Sequence, residues 1–432
     1  MRKDFWVLSF LTAVVFALWQ KALFNFFAQD DFILISQFSQ NILWQDIKNV
    51  FGAPAVTHWR PLHNLYFFLA GNLFGKNYFW YHLLTFAIHI ASGFLIYKVI
   101  NLLVKNIRVA ILAGFFYVIH PAHFISLFWI SGGATVIGFI FLIASFYCFL
   151  LGKRVLSILL YACSLLASES MIAGLLIFVL YKKILASNKK FLDLFNLTLL
   201  FLTSLFMLVR FLFTPKLTFD IYKLEVSTKT LNSIKYYLLR IAGFPEGGGG
   251  LIKISLLLWL LIASAFLIKK IAQENSKGKI VFFVLVTLVG LFPFILIPSH
   301  LSPHYMNISV WAFAALLGLI LGSIKRWQLF LYLIFFILIS LSTANQNLNN
   351  SWVVKRSLLA KKYINLIKIK DPPQKETLIF NDSKISSSFE AYISLGTGKA
   401  IDFMFPQKKY KSCFSAFETC PAKNHEIFII NE

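Results

Sequence analysis

Two adjacent carboxyl groups, Asp30 and Asp31, are the residues of this chain whose types and spacing best suit proton transfer. They follow a long apolar run and are flanked by Phe27 and Phe32. Neighbouring carboxylates repel each other, and an apolar surrounding raises the pKa of at least one of them. One carboxylate could then accept a proton while the other orients a neighbouring group, as general base catalysis requires. The alternative is a polar, exposed end to a helix.

Glu169 is the second unusual acid, because it stands between two apolar segments in Ser168-Glu169-Ser170. A charge at membrane depth costs about 2.5–3.5 kcal/mol on the insertion scale, so such a residue usually faces a cavity or a charged partner. The alternative is a loop residue at the water boundary.

Several histidines and one arginine lie in loops between the apolar runs. An outside cavity lined by imidazoles and a guanidinium suits an anionic group such as a lipid phosphate. The candidate lining residues are His58, Arg60, His120, His123, Glu169, His304 and Tyr305. A divalent metal is the competing interpretation, but His120 and His123 have only loose ligand spacing in a proline-containing loop. We therefore expect neither a metal nor another cofactor.

The composition indicates that lipid is the main solvent of this chain. Hydrophobic residues make up 58% of it and charged residues 14%, with a mean hydropathy of +0.73, whereas soluble domains carry about 25% charged residues. A formal charge of +23 raises nucleic acid as a partner. Here, however, the basic residues sit in short clusters between apolar runs, as the positive-inside rule predicts. We therefore expect membrane lipid, and no nucleic acid, as a partner.

A membrane-spanning helix needs about 20 apolar residues, and on that basis we expect an all-α integral membrane protein with about eleven transmembrane helices. The predicted spans are 5–27, 78–104, 108–120, 127–151, 155–167, 171–186, 191–213, 251–268, 280–298, 306–323 and 327–344. The first apolar run is too long for a signal-peptide core and no small-residue cleavage site follows it. We therefore expect it to remain as the first span.

The distribution of Lys and Arg predicts one orientation. If Met1 is cytoplasmic, the basic clusters fall on the cytoplasmic side, and the short outside loops contain no Lys or Arg. These loops are residues 120–126, 168–170 and 299–305. The pattern predicts a plasma-membrane protein with a cytoplasmic N terminus, and it places outside residues 28–77, 214–250 and 345–432.

Two domains are expected, a transmembrane domain over residues 1–345 and a small extracytoplasmic α/β domain over 346–432. In the first outside loop, the apolar segment 61–74 is too short to span and begins with proline, so we expect an interfacial helix. A further outside helix is expected over 228–242.

In the tail, residues 351–369 have a helical pattern that ends before Asp371-Pro372-Pro373. Residues 378–380 and 427–430 have the composition of short strands. Cys413 and Cys420 close a short loop and would pair in an oxidising compartment. The alternative is two reduced thiols.

The order of these motifs along the chain is informative. The matching stretches are Asp30-Asp31, His58-Trp59-Arg60-Pro61-Leu62, the run from His82-Leu83-Leu84 to His89, His120-Pro121-Ala122-His123 with Trp129-Ile130-Ser131-Gly132, Ala167-Ser168-Glu169-Ser170, and His304-Tyr305. Over about residues 25–310 this order resembles the GT-C superfamily, particularly its protein O-mannosyltransferase-like branch. Within that branch it is most similar to the membrane part of the transmembrane-and-tetratricopeptide O-mannosyltransferases and their prokaryotic relatives.

The resemblance implies a GT-C fold and an inverting glycosyltransferase of the cell envelope. Such an enzyme takes a hexose, for instance mannose, from a polyprenyl- or dolichyl-phosphate carrier to a protein, lipid or glycan acceptor. In the family the first outside loop supplies the catalytic acid, so the base role carries over to Asp31 first and Asp30 second. Arg60, His120 and His123 carry over as lining of the active site.

The chain departs from the family pattern at three positive charges. The family's Gly-Arg is Gly132-Gly133 here, its Lys-Glu is Ser168-Glu169, and its Glu-Arg-Tyr is Pro303-His304-Tyr305. If those charges hold the donor phosphate, this chain has changed its donor, uses histidine instead, or has lost activity. A catalytically inactive scaffold therefore remains an alternative. A lipid or sugar transporter is another, although we find no internal repeat of the kind common in transporters.

Overall fold

The computed structural model describes residues 2–38, 43–52, 58–186, 193–214, 223–245, 250–271, 274–380, 388–417, 419–420 and 426–427. Helices α1 to α19 are, in order, Arg2–Trp19, Asp30–Ser36, Leu43–Phe51, Pro61–Phe74, Tyr78–Val104, Ile107–Val118, Phe124–Phe128, Ala134–Leu150, Arg154–Ala167, Gly174–Leu180, Leu194–Phe213, Thr228–Ile241, Gly250–Ile271, Glu274–Ile295, Asn307–Leu321, Arg326–Asn350, Trp352–Lys370, Phe389–Ser394 and Lys399–Met404. Strands β1 to β3 are Thr377–Phe380, Lys411–Phe414 and Glu426–Ile427.

The described residues contain seven helices that are long and apolar enough to cross a membrane. An eighth span results if α6 and the helical segment Pro121–Phe128, which meet at a 41° bend, are taken together. The predicted all-α membrane fold is therefore confirmed, but the count of about eleven spans is not.

The difference in span number comes from helix length. The predicted spans 155–167 and 306–323 form α9 and α15, which have 14 and 15 residues. At 1.5 Å per residue such a helix is about 22 Å long, shorter than the roughly 30 Å of a bilayer core. The predicted span 171–186 is divided among a 3₁₀ turn, α10 and a π-helical turn.

The chain divides into two compact units, and the first contains residues Met1–Gln20, Leu84–Leu127 and Gly132–Leu348. Its core includes close packing of α6 against α15, where small residues let the backbones approach. A Cβ atom added at Gly318 would lie 2.7 Å from the carbonyl oxygen of Val109. A larger residue at Gly318 would therefore push these two helices apart.

The second unit contains Lys21–Leu83, Phe128–Ser131 and Asn349–Glu432. Its parallel sheet has the order β2-β1-β3, and Leu378 and Phe380 of β1 are fully buried. Tyr363 of α17 packs edge-on against Phe380, with ring centroids 5.3 Å apart. Cys413 of β2 is joined to Cys420 by a disulfide.

Several predicted elements are present with nearly the predicted bounds. Helix α4 coincides with the predicted segment 61–74, and α12 and α17 match the predicted helices 228–242 and 351–369 within a few residues. Strand β1 contains the predicted 378–380. Of the predicted strand 427–430, only Ile427 lies within the described residues. The domain division at residue 345 and the position of α4 on the membrane surface stay predictions.

Candidate functional site

The adjacent residues Asp30 and Asp31, in the second unit, begin helix α2 directly after a turn with an unusual backbone. Gln29 has a backbone φ of 54°, in a region that residues other than glycine rarely adopt. Its N–H donates to the carbonyl oxygen of Ser394 at 3.1 Å. A Cβ atom at Gly396 would lie 2.5 Å from the Gln29 carbonyl oxygen, so only glycine fits there without a shift. Such backbone strain is often found at functional sites and is held by its surroundings.

Asp31 is fully engaged in hydrogen bonds. The N–H and the hydroxyl of Ser131 donate to its Oδ1 at 2.7 and 2.6 Å, and the Ala28 N–H donates to Oδ2 at 3.0 Å. Burial raises the pKa of Asp31 above its usual range, and the donors from Ser131 and Ala28 lower it in part. With both oxygens occupied, this side chain joins the 128–131 segment to the start of α2.

Asp30 differs from Asp31 in its hydrogen bonding. Its side chain is half-buried and its carboxylate accepts no hydrogen bond from any described residue. Burial raises the pKa of Asp30 to about 6, although the positive charges of Arg60 and Arg356 act to lower it. A carboxylate with a free oxygen and a pKa near neutrality is suited to accept a proton.

Arg60 lies at the start of α4, where the Asn64 N–H donates to the Arg60 carbonyl oxygen at 2.9 Å. Pro61 follows at the first helical position, where a proline leaves no backbone donor unsatisfied. The indole N–H of the preceding Trp59 donates to the Phe51 carbonyl oxygen at 3.1 Å. His58, also expected to line the site, is half-buried two residues before Arg60.

Arg356 was not singled out in the sequence, yet its charge acts on Asp30. Its Nε and Nη2 donate to the two carboxylate oxygens of Glu390 at 2.9 and 3.0 Å, and its Nη1 donates to Gln29 Oε1 at 3.1 Å. Its guanidinium carbon lies 5.3 Å from the centroid of the Trp352 ring. The sequence feature that could have indicated Arg356 is its i, i+4 spacing from Trp352, which places both residues on one face of α17.

His120 and His123, which were predicted to line the site, are buried in the first unit and pack against its side chains. His120 Nε2 is 3.0 Å from the Ile241 carbonyl oxygen, and the Ala122 N–H donates to its Nδ1 at 3.2 Å. Nδ1 is therefore an acceptor and Nε2 carries the proton, which ties α12 to the turn after α6. His123 is buried against Tyr117, with ring centroids 4.5 Å apart. That these histidines line one cavity with Asp31 stays a prediction.

Glu169 forms an ion pair with Arg210 of α11, with Oε1 and Nη2 3.7 Å apart. This arginine supplies a positive charge beside Glu169, where the family pattern has a lysine and this chain has Ser168. His304 and Tyr305 are buried in a 3₁₀ turn, with ring centroids 4.0 Å apart.

The structure therefore brings together Asp30, Asp31 and Arg60 in the second unit, while the remaining predicted lining residues other than His58 belong to the first. Within the described residues, no group of three or more His, Cys, Asp or Glu side chains is arranged to hold a metal ion. The arrangement around Asp30 can accept a proton and bind an anion.

No protein-family model matches the sequence, and no curated protein matches it. Solved structures do match its fold. ArnT from Cupriavidus metallidurans bound to undecaprenyl phosphate is 11% identical with a TM-score of 0.54, over 93% of this chain and 84% of ArnT. The apo state of the same protein is 12% identical with a TM-score of 0.54, over 95% and 90%.

The apo oligosaccharyltransferase of Archaeoglobus fulgidus is 10% identical with a TM-score of 0.53. The match covers 93% of this chain but 63% of that longer protein. At identities this low the likeness establishes the fold alone. The chain therefore has the fold of the GT-C membrane glycosyltransferases, as the order of its motifs predicted. The likeness to the protein O-mannosyltransferase-like branch stays a prediction.

Proposed function

We propose that this chain is an inverting glycosyltransferase that moves a sugar from a polyprenyl-phosphate carrier to an acceptor hydroxyl, with Asp30 as the base. The observation that carries the proposal is the Asp30 carboxylate, which is desolvated, free of hydrogen bonds from the described residues and acted on by two arginine charges. The motif order placed Asp31 first. We reverse that order, because both oxygens of Asp31 already accept hydrogen bonds.

The reaction uses Asp30 in its ionised form. Its carboxylate removes the proton of the acceptor hydroxyl, and the oxygen attacks the anomeric carbon from the face opposite the phosphate. The bond between that carbon and the phosphate oxygen breaks, and the lipid phosphate leaves with the electron pair. Arg60 is our candidate for stabilising the negative charge that develops on the phosphate. Asp31 acts as a positioning residue through its hydrogen bonds to Ser131.

The fold supports a lipid-linked donor, because ArnT, with a similar fold, was solved bound to undecaprenyl phosphate. A hexose such as mannose, and a protein, lipid or glycan acceptor, follow from the motif resemblance. The scarcity of basic residues in the short outside loops supports a site on the extracytoplasmic face of the plasma membrane. The disulfide between Cys413 and Cys420 is consistent with that side, since disulfides persist in oxidising compartments.

An inactive scaffold is the second candidate, favoured by the three positive charges missing from the family motifs. Two observations weigh against it. Arg210 stands beside Glu169, and Arg356 acts on Asp30, so arginines from other helices supply charge near both acids. A transporter has less support, because the solved structures of similar fold include ArnT in two states and an oligosaccharyltransferase.

The test is a transfer assay with purified protein, radiolabelled polyprenyl-phosphate hexoses and cell-envelope acceptor fractions. We expect label to pass from the lipid to the acceptor with the wild-type protein and with Asp402→Asn. Asp402 is a suitable control because its carboxylate is exposed and lies in the same unit. We expect a loss of about 10²-fold or more with Asp30→Asn. Equal transfer by Asp30→Asn and wild type would reject the proposed base.

A further inference from the structure

A surface groove of 620 Å³ lies in the second unit, and neither Asp30 nor Asp31 is among its lining residues. Its lining residues are Phe24, Phe74, Lys76, Asn77, Tyr78 and Phe79. Phe24 ends one candidate membrane span, Arg2–Phe24, and Tyr78 begins another, Tyr78–Val104. The groove is therefore placed where two spans reach the membrane boundary.

The groove is built largely of aromatic rings, some of them open to the surroundings. Phe24 is 67% exposed, and its ring centroid is 6.1 Å from that of Phe79. Beside the groove, Trp80 is 44% exposed and stacks on Phe74 with centroids 6.2 Å apart. Trp and Tyr rings at the ends of membrane spans, here Trp80 and Tyr78, sit at the level of the lipid headgroups, with the Phe rings beside them. Their exposed faces can hold the first carbons of acyl chains.

Three lysines converge on this aromatic groove. Lys76 is part of its wall, and the Lys361 amine lies 6.0 Å from the centroid of the Tyr78 ring. Lys368 is seven residues after Lys361 in α17, so both lie on one helix face. Desolvation, and then the charge of Lys368, lower the pKa of Lys76.

These charges have no acidic counterpart in the described part of the chain. The Lys76 amine donates to the Met404 carbonyl oxygen at 3.0 Å, and none of the three lysines forms an ion pair with a described carboxylate. Like charges held near one another are unfavourable, and an anion between them removes that repulsion. The combination of an apolar floor and a cationic rim fits a molecule with a hydrocarbon part and a negative head.

We propose that this groove binds an anionic phospholipid of the bilayer, with its phosphate headgroup at Lys76, Lys361 and Lys368 and its acyl chains against Phe24 and Phe79. Basic pockets beside membrane spans recognise anionic headgroups in this way. The occupant is a lipid of the surrounding membrane, not the sugar donor. Asp30 does not line the groove, and lipid binding there does not depend on the proposed sugar transfer.

Native mass spectrometry of the full chain in detergent tests the proposal, with phosphatidylglycerol and phosphatidylcholine of identical acyl chains as probes. We expect the wild type to bind phosphatidylglycerol more tightly. In the double variant Lys361→Gln/Lys368→Gln, the affinity for phosphatidylglycerol should fall about 30-fold, as expected for two lysines near a headgroup. The matched control, Lys355→Gln/Lys362→Gln, removes the same charge from the same helix and should change it less than about twofold.

The position of the bound lipid is checked by fluorescence. Phosphatidylglycerol brominated near the headgroup should quench wild-type emission, and the quenched fraction should fall in Trp80→Phe and in Lys361→Gln/Lys368→Gln. An equal affinity for both lipids, or an equal loss in the two double variants, would overturn the proposal. So would tight binding of undecaprenyl phosphate with no binding of phosphatidylglycerol, because the groove would then be a donor site.

Discussion

Replacing Asp30 with asparagine should make the folded protein more stable at neutral pH, even though it removes the proposed base. Burial raises the pKa of this carboxyl from 3.8 to about 6. A carboxyl whose pKa is higher in the folded than in the unfolded state opposes folding wherever it is ionised. A shift of about two units corresponds to about 3 kcal/mol. Asparagine has a similar shape and no charge to desolvate, so it relieves this penalty.

The gain in stability from Asp30→Asn should depend on pH. Below about pH 4 the Asp30 carboxyl is protonated in both states, and the variant gains little over the wild type. As the pH rises from 3.8 through about 6, the wild type loses stability that the variant keeps. The difference should therefore grow across this window and reach about 3 kcal/mol near pH 7.

The assay is reversible unfolding in mixed micelles, followed at pH 4.5 and pH 7.5 for wild type, Asp30→Asn and the control Asp402→Asn. Asp402 has an exposed carboxylate in an ion pair with Lys399 at 3.2 Å, so its neutralisation should change stability by less than about 1 kcal/mol. If Asp30→Asn is less stable than wild type at pH 7.5, or if its effect is the same at both pH values, Asp30 is not a desolvated carboxyl.

Three further results are expected. The rate of sugar transfer by the wild type should rise with pH to a plateau above about pH 6 and fall about tenfold per pH unit below it, because Asp30 must be ionised. A pH-rate profile tests this expectation, and a flat profile contradicts it. Arg356→Gln removes a charge that lowers the pKa of Asp30, so the acidic limb of this variant's pH-rate profile should move to higher pH. An acidic limb at the wild-type position would assign Arg356 a structural role alone. Ser131→Ala removes the 2.6 Å hydrogen bond to Asp31 and should lower the free energy of unfolding by about 1–3 kcal/mol, while an unchanged unfolding curve would show that this hydrogen bond does not stabilise the fold.

Local features of the site could be predicted from the sequence. Asp30 and Asp31 were found because two carboxyls after a long apolar run are rare in this chain, and Arg60 was found from its motif. The different roles of Asp30 and Asp31 could not be predicted from the sequence. Their roles depend on Ser131, which lies 100 residues from Asp31 and donates two hydrogen bonds to it.

Long-range partners explain most of what the sequence did not predict. Arg356 lies 327 residues from its hydrogen-bond partner Gln29, and no periodic pattern connects them. His120 has the residue type of a ligand or base, but the Ile241 carbonyl that occupies its Nε2 comes from a helix 121 residues away. Hydropathy located the apolar runs that form α9 and α15, but it did not determine whether those helices are long enough to span.

The choice between the two adjacent acids is tested most directly by comparing single-turnover sugar transfer by Asp30→Asn and Asp31→Asn, each at equal folded concentration. We expect Asp30→Asn to lose about 10²–10⁴-fold in rate, as for removal of a general base. Asp31→Asn should retain most of the rate once its folded fraction is matched. Normal transfer by Asp30→Asn, together with an inactive but folded Asp31→Asn, would show that Asp31 and not Asp30 is the base.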